Sequence, residues 1–164
     1  MSVCCKPLRV EHWERVRTIF AEGIASGQAT FETEAPGWAA WDRGHLLDPR
    51  LVAVDADEIV GWAAVSPVSG RCVYGGVAEV SVYVAAAARG RGVGRLLLPE
   101  LVQASERAGI WTLQAGIFTG NEASIRLHRA CDFREVGVHE RLGALNGVWR
   151  DVLLMERRSR VVGV

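Results

Sequence analysis

Apolar residues recur along this chain at two spacings, one typical of helices and one typical of strands. Between residues 11 and 27 they recur at three- and four-residue steps, which predicts an amphipathic helix that ends near Gly27. A further helix is predicted from Gly92 to about Ala108, with apolar residues on one face at Leu97, Leu101, Ala104 and Ala108. The segment VAEVSVYV, residues 77–84, has the β-branched and alternating character of a strand.

The predicted order of elements over the whole chain is β-α-α-β-β-β-α-β-α-β-β. The other strands are predicted at CKPLRV, on both sides of a turn at Asp55–Asp57, and at WTLQAGIF, REVGVHERLG and WRDVLLMERR. The other helices are predicted at GWAAWDRGHLL and in NEASIRLHRACDF, where Asn121 is a suitable N-cap. This order predicts an α/β fold with a mixed sheet, and residues 1–164 are expected to form a single domain.

Composition narrows the classes of partner. Lysine and arginine number 19, as do aspartate and glutamate, so the formal net charge is zero, which argues against nucleic acid as a partner. No apolar run reaches the roughly 18 residues that a membrane span needs, and the N-terminus lacks a signal-peptide core, so a cytoplasmic location is expected. The four cysteines lack a metal-ligand spacing, so no metal is expected and the thiols are expected to be reduced.

The most distinctive stretch is SVYVAAAARGRGVGRLLL, residues 81–98, where a predicted strand turns into a predicted helix. A helix N-terminus offers unpaired N–H groups and a positive dipole end, a combination that binds phosphate. Three glycines give a ligand close access to the backbone, and three arginines add charge: Gly90, Gly92, Gly94, Arg89, Arg91 and Arg95. A solvated loop is the plainer alternative.

Two common nucleotide-binding motifs do not fit this turn. A P-loop requires a lysine, and the only lysine in the chain is Lys6. The dinucleotide fingerprint requires a third glycine where Arg95 stands.

The segment RGRGVG, residues 89–94, fits the pattern [QR]-x-x-G-x-[GA], and the chain resembles the GCN5-related N-acetyltransferases (GNAT). The resemblance implies a single-domain fold whose mixed, mostly antiparallel sheet is flanked by helices. It also implies acetyl-CoA as co-substrate, with its pyrophosphate on the turn and its pantetheine arm on the preceding strand. The coenzyme-binding residues implied in this way are Val82, Tyr83, Val84, Arg89, Gly90, Arg91, Gly92, Val93, Gly94, Arg95 and Asn121.

Further pieces in matching order resemble one branch of that family. The matching segments are ATFET, LVAVDADEIVGWA, AEVSVYV, IFTGNEASIRLH and GVWRDV. The branch contains phosphinothricin N-acetyltransferases and enzymes that act on methionine sulfone, methionine sulfoximine or arsinothricin. The resemblance implies a small amino acid analogue as acceptor, protection from a toxic antimetabolite, and a homodimer, with Trp149 a candidate for the subunit contact. The chain departs from the branch at Leu145, where many members carry lysine.

Amine acetylation requires a base, a polarised thioester carbonyl and a leaving thiolate. Glu79 matches the glutamate of E-x-S-V-Y-V and is predicted to be the base, although a glutamate at the start of a strand is often simply solvated. A backbone N–H near Val82 is expected to polarise the carbonyl. His128, in SIRLH, is a candidate proton donor to the thiolate, and a packing role is an equal alternative.

Residues on the acceptor side follow from the same resemblance. Arg71 could pair with an oxyanion of the acceptor in fork geometry, or could be an exposed arginine at a strand edge. Tyr74, Phe31, Glu32 and Thr33 match acceptor-side positions of the branch, and Glu79 is expected to contact the acceptor amine.

Two other functions stay open at this point. The acceptor could instead be a peptide, a polyamine or a drug amine. The chain could also be a module that binds acyl-CoA without catalysis, although Glu79 and the intact turn argue against it.

Overall fold

The computed structural model describes residues 2–164 and forms one seven-stranded sheet of strand order β1-β2-β3-β4-β5-β7-β6. The strands are β1 Val3–Pro7, β2 Arg50–Asp55, β3 Glu58–Pro67, β4 Val77–Val84, β5 Thr112–Phe118, β6 Arg134–Leu145 and β7 Val148–Arg158. The helices are α1 Trp13–Ala25, α2 Trp38–Gly44, α3 Val93–Arg107 and α4 Glu122–Ala130. Only β4 and β5 pair in parallel, so the predicted mixed, mostly antiparallel α/β fold is confirmed, and so is the predicted order of elements.

The sheet carries helices on both faces, and the strand alternation at the centre of β3 shows which residues face which helix. A Cβ on Gly61 would lie 2.9 Å from Leu97 Cδ1 and 3.1 Å from Val93 Cγ1, so Gly61 faces α3. The next residue, Trp62, stacks on Phe20 of α1 at 5.6 Å between ring centroids. Because Trp62 pairs with Tyr83 across the strands, Tyr83 also faces α1.

Two local predictions differ from the structure. The first strand spans Val3–Pro7, whereas the segment CKPLRV predicted a strand over residues 5–10. It ends early because the chain enters a 3₁₀ turn at Val10–His12 that leads into α1. Ala108 is exposed although it was placed on the buried face of α3, because the helix ends at Arg107. Within residues 2–164, no helix is both long and apolar enough to cross a bilayer.

Candidate active site

A cleft opens where β4 and β5 separate. The two strands pair only at Val77–Thr112, Ala78–Leu113 and Glu79–Gln114. Beyond these pairs β4 stays with β3 as far as Val84, and β5 stays with β7 as far as Phe118. The backbone of β4 after Glu79 therefore has no neighbouring strand on the β5 side, and the resulting opening is called the β4–β5 cleft below.

Backbone hydrogen bonding shows which N–H groups of β4 point into this cleft. The N–H of Ala85 donates to the carbonyl of Val60 at 2.8 Å, on the β3 side. Since successive N–H groups of a strand point in opposite directions, those of Val82 and Val84 point toward the β4–β5 cleft. This arrangement places a hydrogen-bond donor at Val82, the position at which the sequence predicts carbonyl polarisation.

The turn after β4 presents a row of N–H groups at the start of α3. Gly90 and Gly92 have φ of +76° and +83°, which residues with a Cβ rarely adopt. In the described part of the chain, none of the N–H groups from Gly90 to Arg95 donates to another backbone group. No side chain caps the helix at Gly92, so these groups and the positive helix end are available to an anionic ligand.

Side chains around the turn divide between ligand access and packing. Val93 is buried and packs against Gly61, so only its backbone can reach a ligand. A Cβ on Gly94 would lie 3.0 Å from Leu127 Cδ2, so this glycine also allows α3 to approach α4 closely. The sequence prediction gave Gly94 a ligand-access role alone.

The three arginines of the turn are in different surroundings. Arg91 pairs with Asp55 at 3.3 Å, and Nε of Arg89 donates to the carbonyl of Val84 at 3.4 Å. Arg95 is exposed on the first turn of α3. Positive charge thus surrounds the N-terminus of α3, and part of it is offset by Asp55.

Asn121 lies at the start of α4, beside the end of β5. Its side-chain oxygen accepts a hydrogen bond from the N–H of Ser124 at 3.2 Å, which confirms the predicted N-cap. Its side-chain nitrogen donates to the carbonyl of Gln28 at 3.1 Å. The predicted contact with the coenzyme arm remains a prediction, and the structure adds a link from α4 to the loop after α1.

Glu79 lies where the β4–β5 cleft begins. It pairs with Gln114 and shares a face of β4 with Tyr83, so its side chain is on the α1 side of the sheet. The residue is exposed, yet the surrounding protein keeps the carboxylate partly out of water, and this burial raises the pKa of Glu79 above its ordinary value. A raised pKa suits a carboxylate that accepts a proton near neutral pH.

Tyr83 has its ring held in an aromatic stack. The ring lies 5.0 Å from that of Phe20 and 4.8 Å from that of Trp62, and a Cβ on Gly23 would collide with it at 2.7 Å. Its side chain is therefore committed to packing on the α1 side, and its backbone groups point toward β3 as those of Ala85 do, so its predicted coenzyme contact remains a prediction.

The hydroxyl of Tyr83 has a raised pKa in the folded protein. Burial raises its pKa to about 12, although a hydrogen bond to Thr30 lowers it, and the charges of Glu32 and Glu79 raise it further. The negative charges of these two carboxylates also favour approach of a cationic amine.

His128 is buried near the C-terminal end of α4. Its Nδ1 lies 2.7 Å from the carbonyl of Ser124, and its ring is perpendicular to that of Phe133 at 5.1 Å. Burial lowers the pKa of His128, and the hydrogen bond to Ser124 partly offsets this effect. These contacts favour the packing role, and the proton-donor role remains a prediction.

The predicted acceptor-side residues lie on two loops. Arg71 and Tyr74 are exposed in the β3–β4 loop, with the guanidinium 5.5 Å from the tyrosine ring centre. This loop joins strand ends paired at Ser66–Glu79, so it lies at the Glu79 end of the cleft.

The other loop follows α1. Phe31 stands edge-on to Phe118 of β5 at 4.8 Å between ring centroids. Glu32 is exposed, and its charge is one of the causes that raise the pKa of Tyr83. Thr33 lines a groove of about 590 Å³ beside α1, together with Glu14 and Arg17, and its acceptor-side role remains a prediction.

The loop after α1 is contacted by Arg150, a residue to which the sequence assigns no role. Arg150 of β7 donates from Nη1 to the carbonyl of Gly27 at 2.8 Å and from Nη2 to Oε1 of Gln28 at 2.9 Å. These partners are separated from Arg150 by more than 120 residues, so no local pattern could reveal the contact.

Leu145, at the position where the sequence departs from its branch, is buried with Phe118 and Val152. In the described residues 2–164, no group of three metal-ligating side chains is placed to hold a metal ion.

The sequence profile of the Acetyltransferase (GNAT) family matches residues 11–133 of this chain. The chain belongs to the GNAT family of acetyltransferases. The expected fold and the expected class of enzyme, an N-acetyltransferase, are confirmed at this level. The resemblance to the phosphinothricin N-acetyltransferase branch is confirmed by individual relatives of this GNAT chain.

Phosphinothricin N-acetyltransferase of Streptomyces coelicolor is 42% identical over 108 residues, or 65% of this chain and 63% of the relative's own length. The L-methionine sulfoximine/L-methionine sulfone acetyltransferase of Pseudomonas aeruginosa is 36% identical over 137 residues, or 81% of this chain and 73% of that protein. A crystal structure of a GNAT superfamily phosphinothricin acetyltransferase from Sinorhizobium meliloti in complex with AcCoA has a TM-score of 0.87 at 29% identity, covering 96% of this chain and 89% of that one.

Proposed function

We propose that this GNAT chain transfers the acetyl group of acetyl-CoA to the α-amine of a small amino acid analogue. The candidates are phosphinothricin, methionine sulfoximine, methionine sulfone and arsinothricin. The observation that carries the proposal is the β4–β5 cleft, which has the Val82 N–H inside it, the turn N–H groups at one end and Glu79 at the other. Relatives named for phosphinothricin and for methionine sulfoximine and sulfone support this acceptor class.

The residues present fit acetyl-CoA, which supplies the acetyl group as a thioester. The N–H groups from Gly90 to Arg95 match the negative charge of a pyrophosphate, and positive φ at Gly90 and Gly92 keeps Cβ atoms out of its way. Val82 offers a fixed N–H donor on the rigid β4 strand. Such a donor stabilises an oxygen as it gains negative charge.

The position of Glu79 and its raised pKa both suit the role of general base. An α-amine is mainly protonated near neutral pH, and it must lose a proton before it can attack a carbonyl. A carboxylate with a raised pKa accepts this proton more readily than an ordinary glutamate, directly or through one water molecule. The proton then leaves to solvent, to which the exposed Glu79 is open.

Charges around the acceptor side suit a zwitterionic substrate. Glu79 and Glu32 attract its ammonium group, and the guanidinium of Arg71 suits an oxyanion. N-acetylation removes the positive charge of the amine, and an antimetabolite that mimics an amino acid is then no longer recognised as one. Protection from such a compound is part of the proposal.

The proposal includes a homodimer. Strand β6 is at the edge of the sheet and is exposed along nearly its whole length. Exposed apolar side chains lie along β6 and at the start of β7, and this edge is called the β6 surface here: Val136, Val138, Leu142, Val148 and Trp149. An unpaired edge strand that carries several exposed apolar side chains suits a second copy of the chain.

The test is release of free thiol from acetyl-CoA across a panel of amines. The panel contains phosphinothricin, methionine sulfoximine, methionine sulfone and arsinothricin, with ordinary amino acids, polyamines and a peptide as comparison. Strong turnover on one analogue that carries an oxyanion supports the proposal. Turnover on a polyamine or peptide alone would replace the acceptor class, and acetyl-CoA binding without turnover on any amine would favour a non-catalytic module.

A further inference from the structure

The loop after α1 is fastened to the sheet by four side chains, called the loop clamp here: Gln28, Phe31, Phe118 and Arg150. The guanidinium of Arg150 lies 4.1 Å from the centre of the Phe118 ring, and Phe31 stands edge-on to the same ring at 4.8 Å. Arg150 also donates to Oε1 of Gln28 at 2.9 Å. One arginine of β7 thus contacts the loop through hydrogen bonds and through an aromatic pair.

Gly143 completes the arrangement because it stands directly opposite Arg150 in the β6–β7 pair. Directly paired residues project to the same face of a sheet, so a side chain at 143 would lie beside the guanidinium. A Cβ there would be 3.0 Å from Cε1 and 3.1 Å from Cζ of Phe31. The ring of Phe31 therefore takes the space that the missing side chain leaves.

The clamped loop lies on the same side of the sheet as Glu79. Phe31 packs on Phe118 of β5, and Phe118 projects from the same face of the sheet as Gln114, the residue that pairs with Glu79. The loop clamp therefore holds Phe31 on the face of the sheet that carries Glu79. Phe31 is about one third exposed, so one side of its ring remains open to an acceptor.

We infer that Arg150 and Gly143 are positioning residues, which hold Phe31 as a wall of the acceptor site and so limit the size of the acceptor head group. This inference rests on the proposed function and on Phe31 as an acceptor-side residue. Neither Arg150 nor Gly143 touches the reacting atoms. Each acts through Phe31, Arg150 by holding the loop and Gly143 by leaving room for the ring.

The first test uses Arg150→Ala and needs no acceptor. Loss of the guanidinium frees Gly27 and Gln28, so hydrogen exchange of the amides of residues 28–33 should rise by about 10-fold or more, while exchange in α3 stays unchanged. With an acceptor in hand, the acceptor KM should rise by about 10-fold and the acetyl-CoA KM should stay within about 2-fold. Arg150→Lys, which retains one donor and the charge, should recover part of both effects.

The second test compares two glycines of the same strand. Gly143→Ala pushes on Phe31, whereas a Cβ on Gly137 meets nothing within 4 Å, so Gly137→Ala is the matched control. Gly143→Ala should change the ratio of kcat/KM between a bulky and a slim head group by about 5-fold or more, which is within the range for small changes in pocket shape. Gly137→Ala should leave that ratio unchanged.

The outcomes separate this inference from the proposed function. A wild-type protein without turnover on the amine panel defeats the proposed function, and the exchange experiment still decides whether Arg150 holds the loop. Unchanged exchange in residues 28–33 of Arg150→Ala would overturn its positioning role. A head-group ratio that is equal in wild type, Gly143→Ala and Gly137→Ala would overturn the role of Gly143.

Discussion

At the scale of single residues, the proposed chemistry depends on the carboxylate of Glu79, which lies at the protein surface. Glu79 reaches solvent, but the protein around it raises the pKa of its carboxyl group. A glutamate with an ordinary pKa is a weak base toward an ammonium group, so this shift improves the match between the two.

Glu79→Gln should lower kcat by about 100-fold or more, which is the usual contribution of a general base. Binding of acetyl-CoA should hardly change, because the turn that is proposed to hold it lies at the far end of β4. Steady-state kinetics and a direct binding titration measure the two effects. Glu58→Gln is the matched control, since Glu58 is an exposed glutamate at the start of β3.

The pH dependence of kcat tests the same proposed role of Glu79. The base acts in its deprotonated form, so wild-type kcat should fall as pH falls through the raised pKa of Glu79. This acidic limb should be absent from the residual activity of Glu79→Gln. An identical limb in both proteins would assign it to another group.

His128 is expected to couple stability to pH. Its pKa is lowered in the folded state, so the unfolded chain takes up the proton first. The stabilisation is therefore fully present above the unfolded pKa, near 6.5, and is lost as pH falls through the lower folded pKa.

His128→Gln should lower the free energy of unfolding at pH 7 by about 1–3 kcal/mol, because a buried hydrogen bond and a ring contact are lost. Its stability should also fall less than that of wild type between pH 7 and pH 5. Urea unfolding at several pH values measures both. If kcat of the folded variant drops at least about 10-fold while the pH dependence of stability matches wild type, His128 is the proton donor instead.

Sequence reasoning at this scale works for residues inside a local motif and fails for contacts across the chain. Glu79 and Asn121 each stand in a recognisable segment, and the N-cap at Asn121 is confirmed. Arg150 stands in an equally recognisable segment, GVWRDV, yet its partners are Gly27 and Gln28, which no local spacing connects to it.

At the scale of elements, the turn between β4 and α3 is built from backbone groups. Its N–H groups are available because two glycines adopt positive φ and no side chain caps the helix. The glycine pattern in the sequence reveals this turn well, because few other residues tolerate that conformation. The packing role of Gly94 could not be predicted, since it depends on Leu127 of another helix.

Gly92→Ala should weaken acetyl-CoA binding much more than it weakens the fold. A Cβ at Gly92 meets nothing within 4 Å, so the loss of stability comes from φ alone and should be about 1–2 kcal/mol. The same Cβ would obstruct a phosphate on the turn, so the acetyl-CoA KM should rise by about 10-fold or more, as measured by steady-state kinetics.

The matched control for Gly92→Ala lies at the other end of α3. Gly109 has φ of +84°, and a Cβ there also meets nothing within 4 Å. Gly109→Ala should cost the same stability and leave the acetyl-CoA KM unchanged. Equal KM values in the two variants would remove the turn from coenzyme binding.

The observed ends of the strands and helices show where hydrophobic spacing predicts an element boundary correctly and where it does not. The predicted strand at residues 77–84 matches β4, because both of its ends are set by local turns. The end of β1 and the exposure of Ala108 were predicted wrongly, because both depend on how neighbouring elements pack.

At the scale of the whole molecule, the order of elements fixes a mixed sheet, and the sequence is sufficient to predict it. The sequence does not predict that β4 separates from β5 after the Glu79–Gln114 pair. It arises because each strand keeps its other partner for longer, which is a property of three-dimensional pairing and not of either strand.

The proposed homodimer gives a prediction at this scale. Leu142→Glu places a charge in the β6 surface and should convert the dimer to a monomer, because a buried unpaired charge is strongly unfavourable. Sedimentation or light scattering measures the mass. Leu47→Glu is the matched control, since Leu47 is 82% exposed and lies outside β6. A wild-type protein that is monomeric at high concentration contradicts the proposal directly.

The N–H groups of the turn after β4 also affect how this protein can change over time. Substitution of a side chain leaves a backbone N–H in place, so most mutations in residues 90–95 alter charge or shape but keep the donors themselves. The loops that carry Phe31 and Arg71 have no such protection, because their contributions are made by side chains. Away from the turn glycines, the proposed coenzyme binding should therefore tolerate mutation better than acceptor choice does, and variants selected for a new amine should accumulate changes in those two loops first.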